Sequence, residues 1–172
     1  MSAPTQDLGT LHGGLRLPAH KRDATAGPIL EVPVPAQLVV PLEGRVGQPA
    51  RPVVEPGDHV VKGQLIAAAA GGMGVPVHAP SSGAVIAIEP RPVARGAGDE
   101  APCIVIDCDG DDAPCPAPEQ RSLEAMAPAD LLSCILDGGI VGLGGAVFPT
   151  AQKLMQARAS DIECLVLNGV EC

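Results

Sequence analysis

Apolar and polar positions change rhythm once along this chain, near residue 120. Before that point the apolar residues come in short, largely β-branched runs: QLVVPL (37–42), PVVEPG (52–57), HVVKGQLIAAA (59–69), VPVHAP (75–80), GAVIAIEP (83–90) and CIVIDC (103–108). Each run is closed by Pro, Gly, Asp or Ser. Runs this short and this regularly broken predict a series of strands, and hence a small all-β unit over residues 29–108. Residues 1–28 are polar and punctuated by Gly and Pro, which predicts an extended arm. The segment DGDDAPCPAPEQR (109–121) is acidic and proline-rich and predicts a linker or exposed loop. From 122 onward the period turns helical. In PADLLSCILDGG (128–139), Pro128 suits a first helical position and the glycines suit its end. Leu131, Leu132, Ile135 and Leu136 share one face of that helix. A second helix is predicted from Pro149 or Thr150 to about Ala159, with Ala151, Leu154 and Met155 on one side. IECLVLNG (162–169) reads as a buried strand ending in an Asn-Gly turn. Helix, glycine-rich loop, helix and strand make the opening of an α/β domain.

Composition sharpens this in three ways. Hydrophobic residues are 46% of the 172 but aromatics only 1%, so the core must be aliphatic. The formal net charge is −9, and no run of Lys or Arg occurs, which argues against nucleic-acid partners. No stretch of about 18 apolar residues appears, and the N-terminus lacks the pattern of a signal peptide, so a cytosolic location is expected. The six cysteines form no C-x-x-C pair and fit no common zinc or iron–sulfur spacing. They read as small core residues or incidental thiols, without disulfides.

Within the β unit, Gly57, Asp58, Val60 and Gly63, followed by Ala79, Pro80, Gly83 and Val85, match G-D-x-V-x-x-G and A-P-x-x-G-x-V. These residues resemble the biotinyl/lipoyl family, which implies a barrel-sandwich hybrid fold. Carriers of that family hold their prosthetic arm on a lysine in the hairpin between the two motifs. Here that hairpin is AAAAGGMGVP (67–76), which has no lysine. Carrier function is therefore disfavoured. Lys62, in the preceding turn, reads as a solvated side chain, and His78 as a structural histidine. His12, His20 and His59 show no partner in the sequence and receive no role.

The segment GGIVGLGGAVFPTAQKL (138–154) admits three readings. It is a helix end with tight packing, a flexible hinge, or a cradle in which bare backbone N–H groups and the next helix's N-terminus meet an anion, with Lys153 adding a charge. It is neither a P-loop, since G-x-x-x-x-G-K-[ST] is missing, nor a dinucleotide fingerprint, since its glycines follow a helix.

That segment, with LVLNGVEC (165–172), resembles the start of the flavin-binding domain in the RnfC family of Rnf electron-transport complexes, a loop shared with the flavoprotein subunit of respiratory complex I. GGLRLPAHK (13–21) and HAPSSGAV (78–85) fit the same family. The resemblance implies an α+β protein: an N-terminal barrel-sandwich hybrid followed by the truncated start of an α/β flavin-binding domain (122–172). It implies that Gly142, Gly144, Gly145 and Ala146 surround the FMN phosphate and ribityl chain, that Lys153 pairs with the flavin or its phosphate, and that Asn168 and Glu171 flank the isoalloxazine ring. Phe148 would lie near the nicotinamide-nucleotide pocket. The family works at the cytoplasmic side of the bacterial inner membrane, as a peripheral member of its complex. It passes electrons between NADH and ferredoxin through FMN and [4Fe–4S] clusters, coupled to ion translocation. No cluster ligands are assignable among the cysteines here, and no catalytic or metal residue is named. Val147 stands where the family pattern has glycine, which puts the loop's backbone in question. The part of the domain present here is expected to be poorly packed unless a partner completes it, and to be inactive alone. The alternative expectation is a docking module that binds partner subunits without its own flavin.

Overall fold

The computed structural model describes Arg22 and residues 25–43, 47–94, 98–117, 122–143 and 147–160, together with Ile162, Cys164 and Val166. The chain divides into two compact units, Met1–Pro33 and Val34–Cys172. In the first, residues 28–33 have no regular structure and are exposed, so the β unit begins later than residue 29.

Among its described residues the second unit holds seven strands: β1 (Gln37–Pro41), β2 (Arg51–Pro52), β3 (His59–Val60), β4 (Leu65–Ala68), β5 (Val77–His78), β6 (Gly83–Pro92) and β7 (Glu100–Cys108). They make two antiparallel sheets, ordered β1-β7-β6-β3 and β2-β4-β5. Every strand overlaps one of the apolar runs. The longest pair overshoots them, because β6 continues through Pro90 and Pro92 opposite Pro102 and Glu100. A proline gives no ladder donor and is confined to edges. β3 covers only Gly83 and Ala84 of β6, so the far half of β6 is an edge and tolerates both prolines.

Between the sheets lies a core of Val40, Leu42, Val60, Val85, Ile104 and Ile106 from one side and Ala50, Val54, Ile66, Ala67 and Ala79 from the other. It is wholly aliphatic, as the composition requires. Ile66, Ile104 and Ile106 are fully enclosed, and burying a side chain of that size contributes about 1.5–3 kcal/mol. Cys103 is fully buried too, though outside that cluster. Its thiol donates to the Ala101 carbonyl at 3.3 Å, and burial pushes its pKa up.

Residues 109–115 depart from the linker expectation: they form a strap laced to the barrel. Pro114 bridges Lys62 in parallel; the Lys62 amide donates to the Ala113 carbonyl at 2.9 Å, and the Cys115 amide to the Lys62 carbonyl at 2.8 Å. Asp112 accepts from the Lys62 ammonium at 2.5 Å and the Ser81 hydroxyl at 2.8 Å. Asp109 accepts from the Ser82 hydroxyl at 2.7 Å and lies 3.1 Å from the His59 ring. Lys62 and His59 therefore have partners some fifty residues away, beyond the reach of any local pattern. The buried hydroxyls of Ser81 and Ser82 need acceptors, and the strap aspartates supply them.

Both carboxylates are held below the ordinary aspartate range. For Asp109 the Ser82 hydroxyl dominates, followed by the Asp111 amide and His59; for Asp112 it is the Lys62 ammonium, then the Ser81 hydroxyl. A folded-state pKa below the unfolded one contributes stability above the unfolded value and loses it as pH falls through the folded value. Stability should accordingly decline once the pH drops below about 4, where unfolded aspartate titrates. In Asp112→Asn the acid-side decline in denaturant midpoint should be shallower than in the wild type. Parallel profiles would show that Asp112 is not linked to folding.

After a single 3₁₀ turn at Leu123–Ala125 come two helices, α1 (Pro128–Asp137) and α2 (Thr150–Arg158), close to the predicted spans. Ile162, Cys164 and Val166 are exposed and carry no strand assignment, contrary to the buried strand expected at 162–169; the other residues of that run lie outside the described ones. A buried strand needs paired neighbours and a covered face, and among the described residues nothing pairs with these three. No described helix is long and apolar enough to cross a membrane.

Candidate functional site

The candidate site is the glycine-rich segment between α1 and α2. Of its predicted residues, Gly144, Gly145 and Ala146 lie outside the described residues, as do Asn168 and Glu171. The structure brings Gly142 and Phe148 together at the neck of one turn, with Lys153 in the first turn of the helix that follows. Val141 and Pro149 bridge antiparallel, and the Gly142 amide donates to the Phe148 carbonyl at 2.9 Å. The Thr150 amide donates back to the Ile140 carbonyl at 3.1 Å. The segment is thus a closed loop with a pinned neck, which argues against the hinge reading.

This neck alters the expected role of Gly142. Its N–H is spent within the loop, so it cannot also be turned toward an anion. Among the described residues, a Cβ built at Gly142 would meet nothing nearer than the Phe148 carbonyl oxygen at 3.8 Å. Packing therefore does not demand glycine at 142. Openness toward solvent or a ligand is consistent with it. Leu143, next along the chain, is 99% exposed. Phe148 is half-buried, with Pro149 fully buried behind it.

Pro149 is the N-cap of α2, and no side chain caps it. The first amides of a helix have no intrahelical partner, and the helix dipole adds partial positive charge there. Lys153, one turn in, is exposed, and among the described residues no carboxylate pairs with it. No acidic residue sits in that first turn. With the Thr150 amide already spent on the Ile140 carbonyl, the later amides of this first turn, which no side chain caps, and the Lys153 ammonium suit a phosphate group, so these residues fit the anionic end of a flavin nucleotide.

Val147 adopts φ +49°, the left-handed region that a β-branched side chain enters at a cost of about 1–2 kcal/mol. The glycine of the family pattern at this position is thereby accounted for. Val147 lines a cavity of about 150 Å³ together with Leu42, Gly74, Val75 and Val77 of the barrel. Gln152 also reaches the barrel, its side-chain amide donating to the Gly72 carbonyl. Sequence reasoning gave neither residue nor the hairpin such a part. The signal available was the Ala- and Gly-rich hairpin itself, since small residues allow close backbone approach.

No residue of α1 is fully buried, and Leu131, Leu132, Ile135 and Leu136 are only half-covered. Leu154 and Met155 of α2 are 40% and 41% exposed. The helical segment presents apolar surface that the described residues do not cover, as expected for part of an α/β layer.

Comparison with known proteins supplies a context for this geometry. The RnfC Barrel sandwich hybrid domain family matches residues 9–111, and the Nuo51 FMN-binding domain family matches residues 135–172. The C subunit of an ion-translocating oxidoreductase complex from Pseudomonas aeruginosa is 46% identical over 173 residues, covering 96% of this chain and 22% of the relative. The C subunit of the Na(+)-translocating ferredoxin:NAD(+) oxidoreductase complex of Acetobacterium woodii is 39% identical, covering 95% and 37%. Its counterpart in an ion-translocating oxidoreductase complex of Rhodobacter capsulatus is 37% identical, covering 95% and 31%. The chain thus spans between about a fifth and two fifths of the length of these relatives.

Proposed function

The chain belongs to the RnfC barrel-sandwich hybrid family, and from that premise we propose that it is the N-terminal part of an electron-transfer subunit in a membrane-associated, ion-translocating oxidoreductase complex. The observation that carries the reading is the uncapped N-terminus of α2, with Lys153 exposed beside it and Gly142 open to approach, inside the stretch that matches an FMN-binding domain. In this reading Lys153 and the first turn of α2 receive the FMN phosphate, with Gly144, Gly145 and Ala146 completing the cradle. Asn168 and Glu171 adjoin the ring, and Phe148 borders the nucleotide pocket. Bound FMN would supply two-electron acceptance from a nicotinamide and onward delivery to one-electron carriers such as iron–sulfur clusters. The protein's share is to anchor the phosphate and fix the ring's orientation. NADH, a ferredoxin-type carrier and the other subunits of the complex are the proposed partners, at the cytoplasmic face of the membrane.

Titrating the chain with FMN and, separately, with riboflavin tests this directly. An FMN preference of at least about tenfold is expected, since charge-assisted contacts to a phosphate contribute roughly 1.5–3 kcal/mol. Lys153→Ala should reduce that preference most of the way to unity. Equal affinity for the two flavins would remove the phosphate site from this loop. A second reading, a barrel that docks on partner subunits with no flavin of its own, is favoured by one observation: no residue of α1 is buried. Saturable one-to-one FMN uptake would defeat it.

A further inference from the structure

The β4–β5 hairpin has no lysine to carry a prosthetic arm, yet it meets the helical segment repeatedly. Ahead of the glycine-rich stretch, Gly139 (φ +64°) lies so close that a Cβ there would stand 2.8 Å from the Pro76 carbonyl oxygen and 3.5 Å from the His78 ring. Leu136 at the end of α1 closes a cavity of about 410 Å³ with Leu65, Ala68 and His78. Behind the stretch, Val147 faces Gly74, Val75 and Val77 across a small cavity, and Gln152 donates to the Gly72 carbonyl. Hairpin contacts therefore bracket the loop on both flanks.

We propose that this hairpin is a positioning platform: contacts from Gly72–His78 fix both ends of the glycine-rich loop and so set the geometry in which a flavin phosphate is received. The proposal rests on the flavin reading above and goes beyond it, because it assigns the barrel a part in the cofactor site. Two features support it. Val147 keeps a backbone conformation that a β-branched residue leaves unless contacts hold it. Gly139 is glycine where both its φ and its distance to Pro76 exclude a side chain. A surface that in carriers presents a covalently attached group here grips the loop that would hold a non-covalent one. Gln152 and Gly139 are positioning residues on this account, acting through the loop.

The test uses the 172-residue chain with Gln152→Ala and, separately, Gly139→Val, and takes FMN and riboflavin as probes. Far-UV circular dichroism confirms that the barrel is folded in each. The FMN dissociation constant should rise about threefold in Gln152→Ala and about tenfold or more in Gly139→Val, while the weaker riboflavin affinity changes little. Amide exchange at Gly142 and Thr150 should quicken in both, with β6 and β7 unchanged. FMN affinity within about twofold of wild type in both variants, despite quickened exchange, overturns the proposal. Should the wild-type chain take up no FMN, the flavin reading is what fails. The platform then rests on exchange alone, and unchanged rates at Gly142 and Thr150 in both variants overturn it.

Discussion

Gly83→Ala should lower the stability of the barrel by about 3 kcal/mol or more, a large share of the roughly 5–15 kcal/mol that holds a domain folded. Gly83 has φ +155°, and a Cβ there would stand 2.2 Å from the Asp107 carbonyl oxygen and 2.8 Å from the Cys108 Cα. Those are backbone atoms of β7, so no side chain can swing aside. To admit the methyl, β6 must part from β7 at the Gly83–Cys108 pair. The same residue pairs with Val60 across the other edge, so the shift would also pull on β3. Ser82 is next to it, with its hydroxyl bonded to Asp109, so the strap would loosen too. A side chain forced into a sparsely populated φ costs about 1–3 kcal/mol, and overpacking adds about 1–3 kcal/mol. Urea unfolding of the two proteins with equal slopes gives the difference directly. A variant within about 1 kcal/mol of wild type would show that the ladder opens freely at this corner, against the geometry described.

Gly83 was also visible in the sequence, as the glycine of A-P-x-x-G-x-V, and the comparison with Lys62 shows what made it so. Turn glycines and alternating runs are short-range signals. They located the strands because turn residues bound each apolar run; β7, buried on both faces from Cys103 to Ile106, shows no period of two and was legible only as a continuous apolar run. The Lys62–Asp112 and His59–Asp109 contacts join residues fifty apart. Nothing near Lys62 marks it as paired, and the acidic run at 109–112 reads the same whether it hangs in solvent or caps two buried serines. The run 162–169 failed for the complementary reason: an apolar stretch announces that it wants burial, but the covering layer is not among the described residues. At the site itself the split is finer. Glycine enrichment marked the segment but left helix end, hinge and anion cradle open, and the family pattern flagged Val147 as a backbone problem, which its φ of +49° bears out. The commitment of the Gly142 amide to Phe148 was not legible, because it depends on how the neck closes and not on which residues compose it.

Ile66→Ala should destabilise the protein by about 2–5 kcal/mol, the usual range for emptying an enclosed branched site, whereas Ile86→Ala should cost less than about 1 kcal/mol. The two isoleucines make a controlled pair. Each is the extra residue of a bulge, Ile66 between Leu65 and Ala67 of β4 and Ile86 between Val85 and Ala87 of β6. Ile66 is completely buried and belongs to the inter-sheet cluster; Ile86 is 46% exposed. A bulge re-aims its residue, and here one is aimed into the core and the other away from it. The core is built from small aliphatics with no aromatic to slide into a vacancy, so the cavity left at 66 should persist and its cost should fall in the upper half of that range. Ile66 also stands at the root of the hairpin that accepts the Gln152 bond. Loss of its side chain should therefore quicken exchange at Gly142 and Thr150 as well as in β4, while Ile86→Ala leaves both unchanged. Equal thermal and denaturant midpoints for the two variants would mean that the inter-sheet cluster is not what stabilises the barrel. The loop would then owe its geometry to its own neck and not to the hairpin beneath it.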